Sequence, residues 1–404
     1  MKKEFFTILL IIFTEVLGWS LVLPFLPYLA TDLGATPFIV GTIVATFALC
    51  QFISAPIIGK LSDKFGRKPL LLLSQFSTVL GFLILAFADS LFLIFLSRIV
   101  DGLFGSNMTL SRAYLGDIVR NEDKKTQTKS FGYMSTAFGM GFFVGPAIGG
   151  FLATIDYSIP SFLAAGISAI TLFMIYFLLE ETVTKEKGFK VSVNDFIPVK
   201  DLINGFSDSD LRLLLIYFLG FVFSFNLITA NLGLFSEYQL LVGPDTVGLY
   251  LMFVGFIRIL FQMLVFPKLV NRLSKDILFI SGQIILFFAF TQIIFIESEV
   301  MMFLVMAFFS IGAGILRPTI TSQISMKTDI SSRGKVMGVA DSLQSLSQMI
   351  TPLIGGLLIE SIFPGAIGLL SSIILFPTII LAIYLGFKKT KIVETESLSI
   401  ALQD

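Results

Sequence analysis

The stretch FIVGTIVATFALCQFISAPIIG-KLSDKFGRKP-LLLLSQFSTVLGFLILAFA, residues 38–88, shows how the whole chain is built. Two apolar runs, 38–59 and 70–88, carry no charged residue, and the segment between them holds Lys60, Asp63, Lys64, Arg67 and Lys68. About 20 apolar residues is the length a helix needs to cross ~30 Å of hydrocarbon. The stretch therefore reads as span, charged loop, span. Working outward, the same alternation gives twelve spans, near residues 5–30, 38–59, 70–88, 91–115, 130–153, 159–179, 212–236, 246–267, 277–296, 300–325, 336–359 and 364–387.

Composition agrees. Of 404 residues, 55% are hydrophobic and 14% charged, against roughly 25% charged in a soluble domain. Mean hydropathy is +0.91. A water-soluble enzyme is excluded on this balance, and an all-α membrane protein is expected. Formal net charge is zero, so no excess of either sign points to nucleic acid. Cys50 is the single cysteine and histidine is absent, which rules out an intrachain disulfide, histidine relays, Ser-His-Asp triads and zinc sites. No metal site and no cofactor are expected. The first span, at about 26 residues and without a small-residue cleavage site, is too long for a signal peptide and should be retained.

Charge sorting sets the orientation. Of the 28 Lys and Arg, four lie inside spans (Arg98, Arg112, Arg258, Arg317), and the other 24 lie at the two termini or in every second loop. The alternate loops carry only acids: Asp32, Asp89, Asp156, Glu237, Asp245, Glu297, Glu299 and Glu360. By the positive-inside rule both termini are cytoplasmic. The two membrane faces are called the basic face and the acidic face below.

The longest loop, about residues 180–211, divides the chain into six spans and six. The expected organisation is an N-terminal half 1–180, a cytoplasmic linker 181–211, a C-terminal half 212–390 and a cytoplasmic tail 391–404. Lys129, Gly132, Pro146, Gly149 and Gly150 recur 206 residues later as Lys335, Gly338, Pro352, Gly355 and Gly356, which argues for a duplicated six-helix unit.

Gly59-Lys60-Leu61-Ser62-Asp63-Lys64-Phe65-Gly66-Arg67-Lys68-Pro69 resembles the cytoplasmic signature of the major facilitator superfamily, G-x-L-x-D-[RK]-x-G-R-[RK]. Gly59 and Gly66 allow a tight turn, and Asp63 can face a helix N-terminus, where an acid is stabilised by roughly 0.3–1 kcal/mol. The counterpart loop, Lys268 to Lys275, lacks the glycines and has Asn271 in place of the acid, so the latch is asymmetric. In span 5, Gly141, Gly145 and Gly149 recur every four residues, and the run Gly145-Pro146-Ala147-Ile148-Gly149-Gly150 resembles the antiporter signature G-x-x-x-G-P-x-x-G-G. Generic close packing of helices is the other reading of these glycines.

Glu15 in span 1 lies roughly 15 Å into the membrane at 1.5 Å per residue, where a charge is expensive to hold. Without histidine, such a carboxylate is the natural proton carrier. A structural ion pair is the alternative. In span 4, Ser97-Arg98-Ile99-Val100-Asp101-Gly102 resembles the family's R-x-x-[QS]-G element, with Asp101 at the usually uncharged place. Arg98 and Asp101 share a helical face and either neutralise each other or couple to Glu15. Arg112 and Asp117 either snorkel or join Asp63 and Arg67. Arg258 falls near mid-depth and is the preferred substrate contact in the second half. Arg317 and Asp341 are either a structural pair or functional groups. Gln51, Asn226, Asn231, Gln262, Gln344 and Gln348 complete the candidate substrate-binding set, each of them equally suited to be inter-helix glue worth about 0.6 kcal/mol.

Taken in order, Glu15 with Pro24 and Pro27, the Asp63 loop, Arg98 with Gly102, the span 5 signature and Glu180-Glu181-Thr182 resemble the drug:proton antiporter branch of this superfamily. Within it the likeness is to bacterial tetracycline/proton antiporters. The resemblance implies two pseudo-symmetric six-helix halves rocking about a central site. It implies export of a small amphipathic compound in exchange for protons at a plasma membrane, by a monomer driven by the proton gradient. Glu15, Asp101 and Arg98 are then the coupling groups, and Gly59, Asp63, Gly66, Arg67 and Asp117 the latch. A proton symporter or facilitator for a nutrient such as a sugar, and a lysolipid flippase of the same fold, are the alternative functions; a receptor or an enzyme finds no supporting motif.

Overall fold

The computed structural model describes residues 2–183, 209–327 and 333–401. The linker 181–211 lies mostly outside the described residues, and the final helix, Ala366–Ala401, continues through most of the segment expected to be a tail. Twelve helices among the described residues are long and apolar enough to cross a membrane. These spans 1 to 12 are Lys3–Asp32, Pro37–Phe65, Arg67–Ala86, Leu91–Ile118, Lys125–Ala153, Ser158–Leu178, Leu211–Leu240, Pro244–Arg272, Lys275–Ile293, Glu299–Met326, Val336–Ser361 and Ala366–Tyr384. Eight of the twelve contain the whole apolar run read from sequence; spans 3, 6, 9 and 12 end one to three residues short of it.

Several spans are broken where the sequence forbids a continuous helix. Span 1 divides into Lys2–Val22 and Leu26–Asp32, because Pro24 and Pro27 cannot donate to the helical ladder. Span 4 divides into Leu91–Phe104 and Asn107–Ile118, with Gly105 between them. A Cβ on Gly105 would overlap the Asp101 carbonyl, so only glycine fits this break. Span 8 contains a π turn, Phe261–Val265, one turn after Arg258; the ring of Pro267 excludes the carbonyl four residues earlier and forces the extra residue.

Loop chemistry fixes the ends. Gly66 sits at φ +108 between spans 2 and 3. A Cβ there would overlap the Glu181 carboxylate, which accepts the amides of Arg67 at 2.8 Å and Lys68 at 3.1 Å and so caps span 3. On the acidic face, the Asp156 carboxylate accepts the Ser158 amide at 2.7 Å at the start of span 6, and the Ser158 bonds hold that carboxyl below its ordinary range.

Leu241, after span 7, is the one described non-glycine residue with positive φ (55°), and it is 86% exposed. Gly34, at φ +86, occupies the equivalent turn after span 1. A left-handed leucine costs roughly 1–2 kcal/mol. Leu241→Gly is therefore expected to raise the melting temperature of the purified protein by the equivalent of about 1 kcal/mol, after subtracting glycine's own entropy. A lowered melting temperature would show the turn to be unstrained.

The apolar core is continuous at one membrane face and divided at the other. One cluster of buried residues runs from Leu21 to Ala382 and joins both halves. In the second half it continues to the basic-side ends of spans 7, 10, 11 and 12 (Leu211, Ile324, Val336, Ala382), while the basic side of the first half packs as a cluster of its own, Ile8 to Leu179, with no second-half residue in it. The halves are therefore sealed together at the acidic face and parted at the basic face.

Candidate functional site

Four short motifs of the form P-x-x-x-G make the seal. Pro37 and Gly41 of span 2 cross Pro352 and Gly356 of span 11; a Cβ on Gly41 would overlap the Pro352 carbonyl, and one on Gly356 would overlap the Pro37 carbonyl. Spans 8 and 5 repeat the arrangement, with Gly248 against the Pro146 carbonyl and Gly150 against the Pro244 carbonyl. Hydrogen bonds join the halves at the same face: Thr31 to Glu237 Oε1 at 2.7 Å, the Tyr28 hydroxyl to the Val242 carbonyl at 2.7 Å, and the Phe38 amide to Glu360 Oε2 at 2.9 Å. Toward the basic face, a Cβ on Gly132 or Gly139 of span 5 or Gly338 of span 11 would meet nothing within 4 Å. The gap between the halves opens there.

The span 5 signature divides between two neighbours. Gly141, Gly145 and Gly149 lie directly against the backbone of span 1 from Phe13 to Leu21, while Pro146 and Gly150 press on span 8. Close packing is thus what these glycines do, and it ties the segment carrying Glu15 to the seal.

Around Glu15 the first half holds a buried polar chain. Asn107, the first residue after the break in span 4, donates to Glu15 Oε1 and to the Thr78 hydroxyl, both at 3.0 Å. Thr78 in turn donates to Asp101 Oδ1 at 2.8 Å. The two carboxylates are linked through two neutral side chains from spans 3 and 4. Gln75, which donates to the Ser168 carbonyl at 3.2 Å, is Glu15's other hydrogen-bonding neighbour. Glu15 Oε2 and Gln75 Oε1 are both buried without a partner. Asn107, Thr78 and Gln75 escaped the sequence reading, although a polar residue within an apolar span was the available signal.

Arg98 is 3% exposed and does not pair directly with Asp101. Its Nε donates to the Ser97 hydroxyl at 3.1 Å, its guanidinium lies 5.8 Å from the Phe47 ring centre, and one Nη is buried without a partner. The two charges are not in contact, yet each lies in the field of the other.

The loop residues form a second network. Arg67 binds Asp63 at 2.6 Å and Asp117 at 2.9 Å, and Thr182 donates to Asp117 at 3.2 Å. The Asp63 side chain is 54% exposed, and among the described residues it makes no contact with span 11. Gly59 has only the Thr109 methyl near it.

The second-half candidates separate into two groups. Asn231 is fully buried, donates to the Leu227 and Thr351 carbonyls at 2.8 and 3.2 Å, and abuts Gly355. It clamps span 7 to span 11 and offers no surface to a ligand, which corrects its place in the substrate-binding set. Gln51 is half-buried and donates to the Gly105 carbonyl at 3.3 Å, and Asn226 is buried with its Nδ2 unpartnered. Arg258 and Gln344 are half-buried, while Arg317, Asp341, Gln262 and Gln348 are exposed. Asp341, Gln344 and Gln348 share one face of span 11. Arg317 lies within electrostatic reach of Arg258, Asp341 and, from the other half, Arg112, yet none of these four side chains makes a hydrogen bond or ion pair among the described residues. An apolar recess of about 370 Å³ lined by Phe143, Leu249, Met252, Phe253, Phe256 and Phe303 lies on the opposite side of span 8 from Arg258, by the 100° step of a helix.

Comparison with known proteins agrees with this geometry. The family model described as Major Facilitator Superfamily matches residues 8–346 and 240–398. Similar proteins include Multidrug resistance protein 2 of Bacillus subtilis (28% identical, 89% of this chain and 90% of the relative) and Tetracycline resistance protein, class B of Escherichia coli (29%, 86% of each). Quinolone resistance protein NorA of Staphylococcus aureus is 27% identical over 89% of this chain and 91% of its own. Among solved structures, the human organic anion transporter TETRAN matches with a TM-score of 0.69 at 21% identity, covering 94% of this chain and 99% of that one; at that identity it speaks for the fold alone. Twelve spans in two sealed halves, a family model that runs the length of the chain, and relatives that are drug-resistance proteins lead to one assignment: the chain belongs to the major facilitator superfamily and is a multi-pass membrane transporter of a small molecule.

Proposed function

We propose that this chain is a proton-coupled antiporter that exports a small amphipathic compound by alternating access, with both termini in the cytoplasm and the basic face open to it. The observation that carries the reading is the Glu15–Asn107–Thr78–Asp101 chain, a pair of buried carboxylates at mid-depth beside a gap closed on the acidic face. The resistance proteins among its relatives support the export direction.

In this reading Glu15 takes up a proton when the acidic face opens, where Oε2 and Gln75 Oε1 can share it. Substrate arriving from the cytoplasm finds the gap open on the basic face, and release of the proton there accompanies its binding. Arg98 stabilises the ionised pair from behind. When the basic face closes, the Asp63–Arg67–Asp117 cluster meets the start of span 11. The chain works as a monomer in a plasma membrane and needs no cofactor, since each half contributes one wall of its own gap and the proton gradient supplies the energy.

The test uses purified protein in liposomes enclosing a pH indicator, with tetracycline and several lipophilic cations and anions added in turn. Proton movement that starts with addition of a compound, and accumulation that stops when an ionophore collapses the pH gradient, are the expected results. A compound that crosses at the same rate with and without the gradient, and moves no proton, would make the chain a facilitator.

A further inference from the structure

Three arginines stand at membrane depth with no side-chain hydrogen bond or ion pair among the described residues. Arg112, Arg317 and Arg258 step inward from the basic face: Arg112 lies six residues from the inner end of span 4, Arg317 nine from that of span 10, and Arg258 midway along span 8. Asp341, five residues into span 11, lies within electrostatic reach of both Arg112 and Arg317. Arg258 and Arg317 are close enough to repel one another. No described side chain satisfies either.

An open, wet gap tolerates this arrangement because water hydrates each guanidinium. Occlusion removes the water, and an unpaired charge at membrane depth then costs several kcal/mol. Asp341 can neutralise one arginine. The remaining pair needs a counter-charge; no described carboxylate is bonded to it, and a substrate can bring one and carry it away with each cycle. Two guanidinium groups within electrostatic reach of one another suit the oxygens of a carboxylate, sulfonate or phosphate, which each can bind by charge-assisted hydrogen bonds.

We propose that the substrate is an amphipathic organic anion whose anionic head bridges Arg258 and Arg317, with Arg112 and Asp341 at the mouth steering it in. This deepens the export reading and rests on it for direction only. A cation of the same shape would meet the field of three arginines and is disfavoured.

Fluorescein and a cationic rhodamine share a xanthene frame and differ in charge, which makes them suitable probes. Fluorescence polarisation with purified protein in zwitterionic detergent is expected to show fluorescein binding more tightly than rhodamine, and weakening as salt is raised. Arg258→Gln and Arg317→Gln should each weaken fluorescein at least about tenfold, the size of a lost hydrogen bond to a charged group; Arg258→Lys should retain part of the affinity, and a monodisperse elution profile checks folding. Tighter binding of rhodamine, or fluorescein binding indifferent to both glutamine variants, overturns the proposal. The same titration in phosphatidylcholine nanodiscs with and without phosphatidylglycerol separates free anion from lipid headgroup: displacement of fluorescein by the anionic lipid would make the arginine pair a lipid site and overturn the substrate assignment. Everted vesicles then test the export reading by itself. Fluorescein that binds through both arginines without moving, and without moving protons, leaves the anion site standing and removes the antiport.

Discussion

Glu15→Gln is expected to reduce compound-driven proton movement to the level of protein-free liposomes, a loss of at least about a hundredfold, which is the scale of removing a positioned proton-transfer group. Exchange of labelled compound between two compartments at equal pH should continue. The reasoning follows from the hydrogen bonds. Glutamine can keep the Asn107 contact through its amide oxygen, so the fold around span 4 is preserved. Its amide nitrogen can donate to Gln75 Oε1, which is buried without a partner on a neighbouring side chain. The variant is thus held in an imitation of the loaded state and has nothing to release. Asn107→Ala removes the bridge to Thr78 instead and should lower coupling less severely, because both carboxylates remain. A Glu15→Gln protein that still concentrates compound against a gradient would take the coupling role away from this residue.

Replacing both Gly41 and Gly248 by valine should stop transport while leaving the protein folded and shifted toward the state open at the acidic face. Each substitution drives a side chain into the carbonyl of a proline on the opposite half. Overpacking of this kind costs about 1–3 kcal/mol per site, and a bias of that size moves a two-state equilibrium by roughly 5–150-fold. The two crossings are related by the internal repeat and oppose closure together, so their effects add. A cysteine at Leu23, below the seal, in a Cys50→Ser background reports the change: its reaction with a membrane-impermeant maleimide applied from the acidic face should rise at least about tenfold with the double substitution. Gly132→Val, where a Cβ has free space in this conformation, is the control. Unchanged labelling would mean that the crossings tolerate a side chain and are not the closing surface.

How far these features could be read in advance depended on the distance over which they act. The spans, their number and their two-fold relation were legible because each is a local property: apolar length, the placement of Lys and Arg, and an offset of 206. Half of the seal was legible in the same way, as Pro146, Gly150, Pro352 and Gly356. The other half was present in the sequence and went unread: Pro37-x-x-x-Gly41 recurs as Pro244-x-x-x-Gly248 at an offset of 207, one residue away from the offset of the first set. The Asn107 and Thr78 bridge was not legible, since a hydrogen bond across spans 1, 3 and 4 leaves no trace in the spacing of any one of them. Asn231 shows the limit from the other side. A polar residue at mid-depth has the same appearance whether it faces a ligand or a neighbouring helix, and its contacts with Thr351 and Gly355 decide for the helix. The latch differs again: motif spacing identified Asp63 and Arg67, but which partner Asp63 has depends on conformation, and one sequence serves every conformation of the cycle.

The divided core also bears on how the molecule is made. Every residue of the cluster from Ile8 to Leu179 belongs to the first half of the chain, so that packing can be complete while the rest of the chain is still being synthesised. The cluster that seals the acidic face draws on residues from Leu21 to Ala382 and has to wait for the twelfth span to insert. The first half therefore resides in the membrane for a time with Gly41, Pro37, Pro146 and Gly150 facing lipid. Small, smooth surfaces of this kind suit that interval, because lipid chains lie against them without interlocking and give way when the matching ridges of spans 8 and 11 arrive.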